Sequence, residues 1–331
     1  MTYPGARRRR YLLLALGLVT TALLSATVVT QDHRQGAGGA RVPAPTVDQN
    51  LTDAVLTGAV DLHAHSDPDS YRRSIDGIEA ATVAKARGMR GLVLKNHFTQ
   101  TAGLAYLARK QVPGIEVFGG IALNTPVGGL NPEAVLHMTE VRGGYGKVVW
   151  MPTHDSEQEV KTLNEKRPFV PFSSNGALLP AVYEILDLIA KHDLVLATGH
   201  VSVDELSLLL RAARERKISR IIVTHPQLGK EYTFLTVAQM QQAAKQGAYI
   251  EFVSMFAFGD GSAARTKTAA DAIRAIGPGS VIVSSDTGLA GTPLHPDALV
   301  LAARALRAQG FSEADLNRMF KQNPATLLGL K

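Results

Sequence analysis

The stretch VDLHAHSD, Val60 to Asp67, decides the fold and supplies the first functional side chains. Its apolar start is typical of a buried β-strand, which presents His63 and His65 before the chain turns. Because side chains alternate across a strand, residues two apart share a face, and both imidazoles should point the same way. Imidazole binds zinc, copper, iron and nickel, so the pair is a candidate half of a metal site. An HxH motif alone is equally compatible with two ordinary structural histidines.

The composition is that of a globular protein. A chain of 331 residues with 45% hydrophobic residues can form a single large α/β domain or two smaller ones. It contains no cysteine, which excludes disulfides and thiolate ligands. A metal in this protein must therefore be held by histidine, carboxylate, lysine-derived or water ligands.

The formal net charge of +6 is concentrated at one end of the chain. Arg7 to Arg10 provide four of the 35 basic residues, and the remaining 31 face 29 acidic residues. This balance gives no reason to expect nucleic acid as a partner. We expect a small-molecule substrate instead, and the sequence leaves the oligomeric state open.

The amino terminus has the pattern of a targeting segment. Arg7 to Arg10 precede the uncharged stretch Tyr11 to Val29, which fits a signal peptide or a membrane anchor. The sequence RRRYL resembles part of a twin-arginine export signal. We therefore expect an exported protein that is periplasmic, secreted or membrane-anchored.

We divide the chain into three parts from these patterns. Residues 1–30 form the signal peptide or anchor, and residues 31–52 form a flexible linker because Gly, Ala, Pro and polar residues dominate there. Residues 53–331 form one catalytic domain.

From Val60 onward the chain alternates short β-branched apolar runs with helical stretches, a pattern that indicates βα units and a parallel sheet. Eight units in this length predict a (β/α)₈ barrel, with an open doubly wound sheet as the alternative. The predicted strands are Ala59 to His65, Arg90 to His97, Ile115 to Leu123, Lys147 to His154, Leu194 to His200, Ile221 to His225, Ala248 to Val253 and Val281 to Asp286.

Polar residues gather where these runs end. (β/α)₈ enzymes build their sites at the carboxyl ends of the strands, so residues from distant parts of the chain should share one cavity. The residues at these ends are His63, His65, Lys95, His97, His154, His200, His225 and Asp286.

Several phrases of the sequence resemble the amidohydrolase superfamily of metal-dependent hydrolases, in an uncharacterised bacterial branch. They are HAH after strand one, GH after strand five, THP after strand six, SSDTG after strand eight and the closing NPATLLGL. The resemblance implies that one or two divalent ions, expected to be zinc, lie among His63, His65, His200, His225 and Asp286. It also implies a (β/α)₈ barrel.

The chain departs from this family after strand four, where two-metal members usually bridge the ions with a carboxylated lysine or a glutamate. WMPTHD stands there instead, and the nearest lysine is Lys95 after strand two. Lys95 either becomes carboxylated and bridges the metals or remains a cation that binds substrate or an acid. His97 shares its face and should serve the same site. His154 is a metal ligand, a substrate contact, a general acid or a structural histidine.

The expected mechanism is metal-assisted hydrolysis. A divalent ion lowers the pKa of bound water from about 15.7 towards about 7, so water becomes the nucleophile. Asp286 is the candidate base that accepts the proton of this water and passes it to the leaving group. His225 or His200 could orient or protonate the substrate instead, and His154 could act as a general acid.

Further candidates contact the substrate. Arg72, with its neighbour Arg73, could clamp an anionic group, and Asn124 could join the rim. Glu251 lies in an apolar run, so it should be a partner of Lys95 or a site residue. Residues 155–180 form a long connection that is either a lid or a surface insertion.

The sequence thus predicts an exported metal-dependent hydrolase of an amide, cyclic amide, lactone or ester bond. One alternative is a histidinol-phosphatase-like phosphoesterase, although Asp286-Thr287-Gly288 lacks the histidine of that family's closing motif. Decarboxylases on the same barrel share the ligands. A binding protein that keeps the metal scaffold without turnover is the alternative from another class.

Overall fold

The computed structural model describes residues 51–229 and 232–331, and it contains the predicted barrel. Eight parallel strands are hydrogen-bonded in the order β1-β2-β3-β4-β7-β8-β9-β10, and β5 and β6 form a separate antiparallel hairpin. All eight predicted strands are confirmed. The strands are β1 Val60–His65, β2 Gly91–Lys95, β3 Glu116–Ala122, β4 Gly146–Trp150, β5 Ser173–Ser174, β6 Ala177–Leu178, β7 Val195–Ala197, β8 Ile221–Val223, β9 Tyr249–Val253 and β10 Val281–Ser284.

Helices follow the barrel strands and begin at side chains that cap their free N–H groups. Asp76, Ser202, Thr236 and Ser312 each form a capping box. The helices are α1 Gly77–Ala86, α2 Ala102–Gln111, α3 Pro132–Glu140, α4 Glu157–Thr162, α5 Pro180–Lys191, α6 Val203–Glu215, α7 Val237–Lys245, α8 Ser262–Ile276, α9 His295–Ala308, α10 Glu313–Asn317 and α11 Asn323–Leu328. A π-helical turn, Arg318–Gln322, joins the last two.

The barrel closes where the segment after β10 meets β1. The backbone N–H of Asp286 donates to the carbonyl of His63 at 2.9 Å, and the N–H of His65 donates to Thr287 at 3.0 Å. The buried carboxylate of Asp61 accepts from the N–H groups of His63 at 3.1 Å and Ser285 at 3.0 Å. Closure therefore sets His63 beside Asp286, from opposite ends of the domain.

A register shift in β1 turns the two histidines into the barrel. Val60 and Leu62 belong to the interior cluster with Val93, whereas Ala64 packs in the outer cluster between strands and helices. The pairing of β1 with β2 shifts between Asp61 and Ala64. Such an irregularity re-aims side chains, and without it His63 and His65 would face the helices.

The carboxyl-terminal helix seals the other end of the barrel. Leu327 and Leu328 of α11 join the interior cluster, and the side-chain amide of Asn323 donates to the carbonyl of Val281, where β10 begins. The closing NPATLLGL segment is therefore structural.

The long connection of residues 155–180 has its own secondary structure. It contains α4 and the β5–β6 hairpin before α5 begins at Pro180. Its predicted role as a lid stays a prediction.

The predicted targeting segment, residues 1–30, and nearly all of the predicted linker lie outside the described residues. Among the helices of residues 51–229 and 232–331, none has the length and apolar character needed to cross a membrane.

Replacement of Gly288 by alanine should destabilise the protein more than replacement of Gly247. Both glycines have a left-handed backbone, with φ of 92° and 90°, so each alanine pays the same conformational penalty of about 1–2 kcal/mol. A Cβ at Gly288 would lie 1.9 Å from the carbonyl oxygen of His65, whereas nothing lies within 4 Å at Gly247. We expect a lower urea midpoint for Gly288→Ala than for Gly247→Ala, and equal midpoints would contradict this account of barrel closure.

Candidate active site

Six imidazoles from five strand ends form a closed ring at the carboxyl end of the barrel. They are His63, His65, His97, His154, His200 and His225, and all are buried. Successive ring centroids are 3.9 to 6.2 Å apart around the circuit, which His225 closes at 5.7 Å from His63. The structure thus brings together the histidines that the sequence places at strand ends.

Asp286 is the carboxylate at the centre of this arrangement. Its Oδ1 lies 3.0 Å from Nε2 of His63 and 3.1 Å from Nε2 of His65. A ligand atom from each of His63, His225 and Asp286 lies within 4.8 Å of the other two. One carboxylate oxygen and several imidazole nitrogens therefore converge at a spacing that suits a single cation.

Lys95 enters the same centre from β2. Its Nζ lies 2.8 Å from Nε2 of His63 and 5.5 Å from the ring centroid of Trp150, and the side chain is only 1% exposed. Burial lowers the pKa of Lys95 to about 8. Trp150 ends β4, so Lys95 at the end of β2 lies beside the last residue of β4.

Glu251 contacts a histidine of the site, which is one of the two roles expected from the sequence. Its two carboxylate oxygens lie 3.2 and 3.3 Å from Nδ1 of His63, so the carboxylate can accept the Nδ1 proton and direct Nε2 toward Asp286. Burial disfavours the imidazolium, but the carboxylates of Asp286 and Glu251 outweigh it and raise the pKa of His63 to about 9. The substrate contact predicted for Glu251 from the sequence stays a prediction.

Glu159 on α4 is a functional residue that the sequence analysis missed. One carboxylate oxygen lies 2.8 Å from Nδ1 of His154, and the other lies 2.6 Å from Nδ1 of His200. The spacing of Ser156 and Glu159 is that of a capping box, which explains a glutamate here without any site. Ser156 does cap the backbone of Glu159, but the glutamate side chain turns to the histidines instead. Burial raises the pKa of Glu159, but these hydrogen bonds prevail and hold it well below its usual value.

Asn124 braces the β2 and β4 ends of the ring. Its side-chain nitrogen donates to the carbonyl of His97 at 2.8 Å and to Oγ1 of Thr153 at 2.7 Å, and its oxygen accepts from the N–H groups of Thr153 and Asp155. Thr153 in turn lies 3.1 Å from Nδ1 of His97. A substrate contact by Asn124, as predicted from the sequence, would require one of these bonds to open.

The two arginines of the first loop differ in their surroundings. Arg72, the predicted substrate contact, is half-buried. The side chain of Arg73 is completely buried and pairs with Asp69. The sequence offers no signal that separates these neighbours.

His295, the first residue of α9, lies buried beside the site. Its Nε2 can donate to the carbonyl oxygen of His65, which is 2.9 Å away. It therefore supports the strand end that carries the HxH pair.

The imidazole nitrogens without a hydrogen-bond partner could bind a metal. Among the described residues, Nδ1 of His65, Nε2 of His200 and Nδ1 of His225 are buried without a hydrogen-bond partner. Burial holds the pKa of His65 and of His225 well below the usual value and lowers the pKa of His200 to about 4. Neutral imidazoles with free lone pairs are the form that binds metals, so the residues fit a divalent cation.

The backbone is strained at the same place. Asp286 has φ of 50° and His225 has φ of 22°, a region that non-glycine residues adopt rarely. Strain of this kind, at about 1–3 kcal/mol per residue, gathers at functional sites and points to one here.

The family model that matches this chain covers residues 58–251, more than half of its length, and is described as a family of unknown function, DUF6282. The chain belongs to the DUF6282 family. No functionally curated protein matches the sequence.

Comparison with solved structures shows that the fold of this DUF6282 protein is similar to that of an amidohydrolase, a phosphotriesterase homology protein and a decarboxylase. An amidohydrolase from Pseudomonas aeruginosa shares 8% identity and a TM-score of 0.57, over 83% of this chain and 98% of that one. A phosphotriesterase homology protein from Escherichia coli, solved with phosphate in its active site, shares 18% identity and a TM-score of 0.54, over 82% and 98%. A 2,6-dihydroxybenzoate decarboxylase from Rhizobium shares 15% identity and a TM-score of 0.50, over 82% and 99%.

Replacement of Glu159 by glutamine should weaken metal binding by this DUF6282 protein about 10- to 100-fold, because carboxylates that orient metal-binding histidines typically contribute this much to affinity. The measurement is competition between the protein and a chelator for Zn²⁺ or Co²⁺. Glu157→Gln is the matched control, since Glu157 lies on the same helix and pairs with Lys161 instead. If both variants hold metal as tightly as the unmodified protein, Glu159 has no orienting role.

Proposed function

We propose that this protein is a metal-dependent hydrolase that cleaves an amide, cyclic amide, lactone or ester bond of a small molecule. The observation that carries the proposal is the position of Asp286, whose Oδ1 lies about equally far from Nε2 of His63 and Nε2 of His65. The fold shared with the amidohydrolase from Pseudomonas aeruginosa supports it.

The residues that would hold the metal are His63, His65, His200, His225 and Asp286, for one or two ions. A nitrogen and oxygen ligand set without cysteine suits zinc. When bound, the ion supplies Lewis-acid polarisation of the scissile carbonyl and makes water more acidic.

Asp286 is the proposed base. Burial raises its pKa, but the charge of His63 and hydrogen bonds from His63 and His65 hold it well below the usual value, so the carboxylate is ionised. It can accept a proton from the attacking water and return it to the leaving group. His154 or His225 is placed to orient the scissile group from other strand ends. Glu251 and Glu159 hold Nδ1 of His63 and of His200, which fixes the tautomers.

We further propose that Lys95 joins this site as an N-carboxylate. Its neutral amine would add carbon dioxide to form a carbamate and release one proton, which places an anion where a neutral amine stood. Two observations support this: the Nζ position 2.8 Å from Nε2 of His63, and the burial of the side chain, which favours the neutral amine that carbon dioxide attacks. His97, beside Lys95 on the same edge, would contact metal or substrate.

The export expected from residues 1–30 remains part of the proposal. Hydrolysis would then take place in the periplasm, in the medium or at a membrane surface to which residues 11–29 anchor the protein.

Removal of the metal should abolish hydrolysis, and Asp286→Asn should lower kcat by about 10²- to 10⁴-fold because the proton acceptor is lost. The measurement is turnover of a panel of amides, cyclic amides, lactones and esters by the full chain, with metal analysis before and after chelation. Asp297→Asn is the control, since Asp297 is also buried but pairs with Arg87.

The same panel separates the alternatives. Turnover of phosphoesters alone would identify a phosphoesterase, and release of carbon dioxide from an aromatic acid would identify a decarboxylase. Tightly bound metal without turnover of any substrate would identify a binding protein.

Lys95→Arg should remove a carbamate resonance from the ¹³C NMR spectrum of protein equilibrated with ¹³C-bicarbonate, because a guanidinium does not add carbon dioxide. Lys321→Arg, which replaces a partly buried lysine bonded to the carbonyl of Ala54, should keep the resonance. A spectrum of the unmodified protein without any carbamate signal would show that Lys95 stays an amine or ammonium.

A further inference from the structure

The proposed hydrolysis leaves one group of buried polar atoms unused, where the loop of residues 66–76 meets residues 285–289. The two segments are joined by their backbones: the N–H of Ser74 donates to the carbonyl of Gly288 at 2.9 Å, and Arg73 bridges Leu289 in antiparallel fashion. We call this region the loop junction. It lies directly beside the strand ends that carry His65 and Asp286.

Arg73 is the charged residue of the loop junction. Its Nε donates to Asp69 at 2.8 Å and its Nη2 donates to the same carboxylate oxygen, while neither side chain is exposed. Its Nη1 has no hydrogen-bond partner among the described residues. A buried donor without an acceptor destabilises the protein, so an acceptor supplied by a ligand would stabilise this arrangement.

Hydroxyl groups of the same junction are also open. Within the described part of the chain, Oγ of Ser66, Oγ of Ser74 and Oγ1 of Thr287 are buried without a hydrogen-bond partner. Thr287 pairs with Ala64 in β1, and Ser66 follows the HxH pair directly. Together with Nη1 of Arg73 these groups can donate hydrogen bonds, and an oxyanion accepts several of them at once.

The junction faces the proposed reaction centre. The guanidinium carbon of Arg73 lies 5.9 Å from the ring centroid of Tyr71, whose ring lies 5.8 Å from that of His154 and 6.3 Å from that of His97. Arg73 therefore borders the side of the histidine ring formed by β2 and β4.

We propose that Arg73, with the hydroxyls of Ser66, Ser74 and Thr287, binds an oxyanion of the substrate, either a carboxylate or a phosphate. This inference rests on the proposed function, since it assigns an anionic substrate to the same site. Asp69 balances the charge of Arg73, so recognition depends on directed hydrogen bonds from Nη1 and the hydroxyls. A substrate held there would lie beside the histidine ring.

The test measures binding without turnover, so it remains decisive if hydrolysis fails. Chelator-treated full-length protein is titrated calorimetrically with succinate, inorganic phosphate and the uncharged analogue succinamide. We expect at least one anion to bind at least tenfold more tightly than succinamide, and the tighter anion identifies the source of the oxyanion. Equal binding of succinamide, or no binding of either anion, would overturn the proposal.

Variants assign the binding to Arg73. Arg73→Gln leaves Asp69 buried and unpaired, so the double variant D69N/R73Q, which keeps a polar pair, guards against loss of folding. Its circular dichroism and Tm without anion should match those of D187N/R216Q, which makes the same change in an exposed pair on α5 and α6. We expect D69N/R73Q to bind the anion at least tenfold more weakly and D187N/R216Q to bind it normally.

Arg72→Gln is measured beside them, because the sequence does not separate Arg72 from Arg73. Loss of anion binding in Arg72→Gln but not in D69N/R73Q would overturn the proposal, as would unchanged binding in every variant. If D69N/R73Q loses anion binding while the protein hydrolyses none of the panel, the oxyanion site stands and the hydrolase assignment fails.

Discussion

The closure of β10 onto β1 is the constraint on which the rest of the structure depends. Two backbone hydrogen bonds and the shared carboxylate of Asp61 join segments from opposite ends of the domain. These bonds position Asp286 against His63, and they also set the loops after both strands side by side. The proposed metal centre and the loop junction around Arg73 are thus two results of one closure.

Buried carboxylates then orient three of the imidazoles. Glu251 holds His63 from β9, and Glu159 holds both His154 and His200 from α4. Burial lowers the pKa of His65, His97, His200 and His225, whereas the carboxylates of Asp286 and Glu251 raise the pKa of His63. A bound cation would take over the charge balance that the proton on His63 provides in its absence.

Much of the fold could be predicted from the sequence, because only a few folds can bury alternating apolar strands and helices in one core. The position of the histidines at strand ends followed from the same pattern. The side chains of His63 and His65 point into the barrel because of a register shift within β1. No residue of VDLHAHSD indicates this shift. Glu159 could not be identified as a site residue from the sequence, because its spacing from Ser156 is also that of an ordinary helix cap. Arg73 could not be told from Arg72, since burial is decided by the fold of the loop.

The single carboxylate shared by His154 and His200 has an evolutionary consequence. It is carried by the insertion between β4 and β7, the kind of connection that normally diverges without harm to a barrel. Replacement of that insertion by an unrelated sequence would remove the hydrogen-bond partner of both imidazoles, because the carboxylate of Glu159 holds both of them. The outer part of this connection can therefore vary, whereas α4, which carries Glu159, is constrained by both histidines.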